Sequence, residues 1–166
     1  SEQLAIGDCL AVAALNKKKF SRQKFKEFHP SGSLGAKLET VEDLMISGSK
    51  IPFVNESLNM EKALKLISEK KLGILIALNK KKSTTGIITD GQIRRSAQKN
   101  NNLKELPVKK IMTKNPISVD KNMLAVKSLA IMSENKITSL CVHEKNRTKK
   151  TIGVLHIHNI LDGNVS

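Results

Sequence analysis

"LISEKKL", residues 66–72, returns 65 residues later as "IMSENKI", residues 131–137. The likeness extends outward on both sides. Val41-Glu42-Asp43-Leu44-Met45 recurs as Val108-Lys109-Lys110-Ile111-Met112, and Gly86-Ile87-Ile88 recurs as Gly153-Val154-Leu155. The offsets of 65 to 67 residues are reconciled by one longer loop. Such self-similarity marks a duplicated unit of about sixty residues, one supersecondary structure made twice.

Both copies read the same way. A short helical turn ends in Leu-Met or Ile-Met. In the first copy Thr40 and Asp43 have the spacing of a capping box, with Asp in the usual Glu/Gln place. A short extended piece follows (51–54; 117–119), then an amphipathic helix with Met60, Ala63, Leu64 and Ile67 on one face in the first copy. A strand (73–78; 137–143), a Lys-rich hairpin loop, a second strand (85–89; 151–156) and a closing helix complete each unit. The fold class expected is α/β of the α+β type, each unit ordered β-α-β-β-α, with copies at 39–98 and 106–166. A polar linker over 99–105, including three consecutive Asn, separates them.

Residues 1–38 stand outside the repeat. Leu4 to Leu15 is apolar on nearly every face, and a helix of that kind is a buried one. A second short helix, Ser21 to Phe28, follows, with Phe20, Phe25 and Phe28 to bury. The expectation is the tail of another domain. It ends in "FHPSGSLGAKL", residues 28–38, where His29 sits before a Pro/Gly turn.

Composition narrows the function classes. Apolar residues make up 39% of the 166, which fits a folded chain. Cys9 and Cys141 lie far apart in apolar stretches, so buried thiols in a reducing cytoplasm are expected, not a disulfide. The N-terminus lacks the basic region of a secretory signal, and no apolar run is long enough to span a bilayer, so no membrane partner is expected. The net charge of +14 suits an anionic partner. Its runs, 17–19, 80–82 and 145–150, fall in apparent turns separated along the chain, and there is no Trp or Tyr on which bases could stack. Solvated turns are therefore expected, and a basic nucleic-acid module, which would show steep salt dependence, is the third-ranked reading.

The Gly-hydrophobic-hydrophobic-Thr-Asp-Gly run, Gly86 to Gly91, within a doubled unit resembles a tandem pair of cystathionine-β-synthase-type (CBS) domains. With "LAIGDCLAVAAL" (4–15), "FHPSGSLGAKL" (28–38) and "VEDLM" (41–45), the whole chain is similar to the D-arabinose-5-phosphate isomerase family. There a sugar isomerase (SIS) domain precedes a CBS pair, and residues 1–38 match the end of the SIS domain. The resemblance implies a parent that interconverts D-ribulose 5-phosphate and D-arabinose 5-phosphate, supplying 3-deoxy-D-manno-octulosonate (Kdo) for lipopolysaccharide. Such an isomerisation needs a positioned acid and base and no cofactor. His29 falls on the family's His-Pro-Gly-Gly motif, whose histidine is an active-site residue, with Ser31 replacing the first Gly. The family's phosphate loop, lysine and glutamates would precede residue 1, so this chain alone is expected to be inactive.

The resemblance also implies clefts that take adenosine nucleotides, with a Ser/Thr-x-x-Asp segment facing the ligand. The matching residues are Thr89-Asp90-Gly91-Gln92 and His156-Ile157-His158-Asn159, so amides replace both ribose carboxylates. An amide lacks the charge that strengthens a paired hydroxyl contact, which disfavours tight AMP or ATP binding. Asp90 offers an acid nearby and also suits a helix N-cap. The candidate ligand-binding residues are Thr89, Asp90, Gln92, Arg94, His156 and Asn159, with Arg95 and Lys114 keeping an anion in play. The candidate ligand is a nucleotide or CMP-sugar. The partners expected are the chain's own SIS domain and further CBS pairs, as homodimer or tetramer; the competing reading is a subunit scaffold that binds nothing. Cys141, His143, His156 and His158 have i, i+2 spacings, but a hairpin turning near 146–149 keeps the four from converging, so no metal is expected.

Overall fold

The computed structural model describes residues 38–162. His29, Cys9 and the two apolar segments before them lie outside that range. The first copy contributes helix α1 (Val41–Leu44), strands β1 (Ile46–Ser47) and β2 (Phe53–Asn55), and helix α2 (Met60–Lys70). Strands β3 (Ile74–Leu78) and β4 (Thr84–Thr89) and helix α3 (Asp90–Lys99) complete it. The second copy repeats the order as α4 (Val108–Ile111), β5 (Thr113–Lys114), β6 (Ser118–Asp120), α5 (Ala125–Asn135), β7 (Ser139–His143), β8 (Gly153–His156) and α6 (Ile157–Asp162). A two-residue strand therefore precedes the expected β-α-β-β-α in each copy. The sheets run β1-β8-β7-β6 and β2-β3-β4-β5.

The repeated heptapeptide is where each long helix ends. Lys71 and Lys136 both adopt left-handed backbone, with φ of 58° and 54°. After α5, Ile137 N–H reaches Met132 O (3.0 Å) and Lys136 N–H reaches Ser133 O (3.3 Å), the paired bonds of a Schellman ending. After α2, Lys71 N–H bonds Ile67 O (3.2 Å), the simpler left-handed cap. Glycine usually holds such positions because it has no Cβ to clash; lysine here offers no such sequence signal.

Each compact unit draws on both copies. One holds residues 38–45, 119–142 and 154–162; the other holds 46–118 and 143–153. The reason is visible at the starts of the long helices. Met60, the first residue of α2, donates its backbone N–H to Leu106 O at 2.8 Å, and Val108 N–H returns to Leu58 O at 2.8 Å. In the other unit Ala125, the first residue of α5, donates to Glu39 O at 2.9 Å, and Val41 N–H bonds Met123 O at 2.8 Å. A helix leaves its first N–H groups without intrahelical acceptors. Here the opening segment of each copy supplies an acceptor to the helix of the other.

The unit holding α2 has a core of Val54, Met60, Ala63, Ile67, Leu75, Ala77, Ile88, Leu103, Val108 and Ile111. Leu64 is only partly buried against it. Leu103, placed by sequence in a polar linker, belongs to this core; the segment turns through a 3₁₀ helix at Leu103–Glu105 on its way to α4. Strand β3 is buried on both faces, pairing in parallel with β2 (Val54 opposite Ala77) and antiparallel with β4 (Ile76 opposite Ile87). In the other unit Leu38, Val41, Val126, Met132, Leu140, Val142, Leu155 and Ile160 are buried. Thr40 and Asp43 form the expected box: the Asp43 carboxylate accepts from Thr40 N–H (2.8 Å) and from its hydroxyl (2.9 Å).

Candidate functional site

The two segments singled out in sequence are both helix starts. In the unit holding α3, the Thr89 hydroxyl caps the helix by accepting from Gln92 N–H at 3.3 Å. Thr89, not Asp90, is thus the N-cap, because the hydroxyl reaches back to the third helical residue while Asp90 already lies inside the first turn. Asp90 donates its N–H to Gly73 O at 3.1 Å. Gly73 sits at φ +68°, and a Cβ there would come 3.1 Å from Asp90 Oδ2. The positive φ favours glycine, and any side chain there would push the Asp90 carboxylate aside by a few tenths of an ångström.

Gln92 is turned away from the cap. Its side-chain amide donates to Ile111 O at the end of α4, and its oxygen accepts from the Thr113 hydroxyl at 3.0 Å. An amide can do both, whereas an ionised carboxylate accepts only. The contact is possible because β5 runs antiparallel to β4, Thr113 opposite Ile87 and Lys114 opposite Gly86. A Cβ on Gly86 would fall 2.6 Å from Met112 Sδ and 2.7 Å from Thr113 O, so only glycine admits this approach. Arg94 and Arg95 are exposed on α3.

The second segment caps α6 with different chemistry. His156 Nδ1 accepts from His158 N–H at 3.1 Å, and Asn159 Oδ1 accepts from His156 N–H at 2.8 Å. The two side chains satisfy donors reciprocally, as in a capping box, with imidazole in place of a hydroxyl. The His156 and His158 rings stack at 4.8 Å between centroids. Partial burial, and then the neighbouring His158, lower the pKa of His156 below its ordinary 6.5. A neutral ring is what the cap requires, because protonated Nδ1 cannot accept. Structure therefore places Thr89, Asp90 and Gln92 at one helix start and His156 and Asn159 at another, with both amides hydrogen-bonded internally.

His143 is engaged elsewhere: its Nδ1 lies 2.6 Å from Ser118 Oγ, and Cys141 is a buried thiol. Among the described residues no group of three or more His, Cys, Asp or Glu is arranged to hold a metal ion.

One feature escapes sequence reasoning. The lysine runs 80–82 and 145–150, which look in sequence like separate solvated turns, are brought together. Lys81, Lys82, Arg147, Lys149 and Lys150 line one open pocket of about 600 Å³. Thr84 N–H bonds Lys149 O at 2.8 Å, and the buried Thr84 and Thr151 hydroxyls meet at 2.5 Å, which locks one loop to the other. The only signal in the sequence is that both hairpin loops are Lys-rich at equivalent places in the repeat.

The CBS domain model matches residues 41–99 and 108–165. The chain is 36% identical over 163 residues to the arabinose 5-phosphate isomerase KdsD of Salmonella typhi, covering 98% of this chain and 49% of that protein. It thus spans about half the length of the curated relatives it matches. An uncharacterized conserved protein from Pyrococcus horikoshii superposes with a TM-score of 0.69 at 24% identity, covering 78% of this chain and 94% of that one. CBSX2 in complex with AMP gives 0.65 at 23% identity, covering 76% and 96%. These structural likenesses establish the fold. Among the described residues no helix is long and apolar enough to cross a membrane.

Proposed function

The chain belongs to the CBS-domain family, with two copies in tandem, and from that premise we propose that it is the regulatory and subunit-pairing module of a cytoplasmic sugar-phosphate isomerase. The observation that carries this is the 36% identity to an arabinose 5-phosphate isomerase over 98% of the chain, the segment before the repeat included. The parent reaction in this reading is D-ribulose 5-phosphate to D-arabinose 5-phosphate, in supply of Kdo for lipopolysaccharide. His29 stands where that family keeps its active-site histidine, outside the described residues. The pair itself senses a nucleotide or CMP-sugar and passes the change to the neighbouring SIS domain, or to a second CBS pair.

The site geometry sharpens what such sensing would use. Because the amides of Gln92 and Asn159 are held internally, recognition falls to the groups beside them: the exposed Asp90 carboxylate and Arg94 guanidinium in one copy, His156 in the other. The same observation favours the second reading, in which the pair only joins subunits and its helix starts are purely structural. Thermal shift against AMP, ATP, CMP and CMP-Kdo separates the two. A ligand at about 100 times its Kd stabilises by about 2.7 kcal/mol, worth roughly 5–10 °C in a chain of this size. A shift with any of the four supports sensing; no shift with all four leaves the scaffold.

A further inference from the structure

Two loops that the repeat makes equivalent, one between β3 and β4 and one between β7 and β8, meet over a pocket of about 600 Å³ with five cationic side chains on its wall. We propose that this pocket is an anion site for a small ligand carrying two or more linked phosphate groups, distinct from the helix-start segments. Three observations converge on it.

The first is charge. Lys81, Lys82, Arg147, Lys149 and Lys150 line the pocket and no carboxylate does. Five like charges drawn into one concavity repel one another, and a multivalent anion relieves that repulsion at several points together. The second is the rest of the lining. The other lining side chains are Ser83, Asn146 and Thr148, neutral hydrogen-bonding groups, with no aromatic or aliphatic residue among them. Such a wall suits phosphate oxygens, which accept from ammonium, guanidinium and hydroxyl donors, and it carries no aromatic ring as a platform for a base. The volume lies in the range of small-molecule sites, about 300–1,000 Å³.

The third is that the loops are fixed in place. In the first, the Asn79 side chain accepts from Lys81 N–H (2.9 Å) and Ser83 N–H (3.0 Å), while Lys82 N–H bonds Asn79 O (2.9 Å). Lys82 is thereby held at φ +62°, a left-handed conformation that glycine or asparagine would adopt more easily. In the second, Arg147 N–H bonds Glu144 O (3.1 Å) and Lys150 N–H bonds Arg147 O (3.0 Å). The buried Thr84–Thr151 contact then joins the two. The cations stand on turns whose backbone is braced, so binding need not order the loops themselves.

The test is isothermal titration of the full chain with inorganic tripolyphosphate, and with orthophosphate for comparison, at low and at physiological ionic strength. Tripolyphosphate should bind at one saturable site, more tightly than orthophosphate. The pair Arg147→Gln/Lys149→Gln should weaken it about tenfold or more. The charge-matched pair Lys65→Gln/Lys127→Gln, on exposed helix faces elsewhere, should change it by no more than about twofold. These loop positions are exposed, and a circular dichroism melt confirms that each variant is folded. Gln92→Glu leaves the tripolyphosphate affinity unchanged if the site is separate from the helix starts. Absence of saturable binding, equal weakening by both charge pairs, equal affinity for orthophosphate, or binding only to a single-stranded oligonucleotide would each overturn the proposal.

Discussion

Replacing Gln92 by glutamate changes one NH₂ to an oxygen and almost nothing in shape. The wild-type amide donates to Ile111 O and accepts from the Thr113 hydroxyl. Glutamate keeps the second bond and turns the first into a carboxylate facing a carbonyl. Leaving a buried acceptor without its donor costs about 1–3 kcal/mol, and the site is part-buried, so the lower half of that range applies. An opposing gain must be subtracted. A carboxylate in the first turn of α3, near the helix's positive end, gains about 0.3–1 kcal/mol. The net expectation is destabilisation by about 1 kcal/mol, a fall in Tm of roughly 2–4 °C.

The pH dependence separates this cause from any other. The ionised form of the introduced carboxyl is disfavoured where it sits, so its folded-state pKa rises above the unfolded value of about 4.3. Protonated, it regains a donor for Ile111 O. The deficit against wild type is therefore full near neutral pH and shrinks as pH falls toward about 4. Urea unfolding at a series of pH values measures it directly. A Gln92→Glu variant as stable as wild type at neutral pH, or a deficit that does not shrink in acid, would refute the reading of Gln92 as a two-way clamp.

Other substitutions probe the same geometry. Gly86→Ala should cost about 1–3 kcal/mol, because the new methyl meets both the Met112 thioether and the immovable Thr113 carbonyl; denaturant midpoints check it. Thr84→Val and Thr151→Val should each destabilise by about 1–2 kcal/mol by orphaning the other buried hydroxyl. The double variant should cost less than the sum, a coupling that a double-mutant cycle reads out. For His156 the folded-state pKa lies below the unfolded 6.5, so its contribution is present above 6.5 and lost as pH falls through the folded value. His156→Thr, which borrows the cap of the other copy, should flatten that part of the Tm profile between about pH 7.5 and 5.

The duplicated heptapeptide is enough to find the two copies of the repeat, and period and spacing place the long helices and the strands that follow them, since these are local properties. Thr40 and Asp43 are legible for the same reason. What sequence misses involves partners far along the chain. That Leu106 and Glu39 supply acceptors to the opposite copy's helix, and that Leu103 is core and not linker, depends on an exchange of opening segments that no local pattern encodes. Gln92 is legible as a departure from a carboxylate, yet its engagement with Ile111 and Thr113, 19 and 21 residues away, is not. The meeting of Lys81 and Lys82 with Arg147, Lys149 and Lys150 is hidden likewise, because distance along the chain says nothing of which loops fold together. Asp90 suits a cap by residue type; the hydroxyl one residue earlier has the reach.

Native mass spectrometry of the purified full chain, as isolated and after adding AMP or CMP-Kdo, tests the central claim most directly. A sensing pair retains the nucleotide's mass on the folded, multiply associated chain and loses it on unfolding. An assembly that stays bare with both ligands, at concentrations where known CBS–nucleotide complexes survive the measurement, would contradict the account and leave a subunit scaffold.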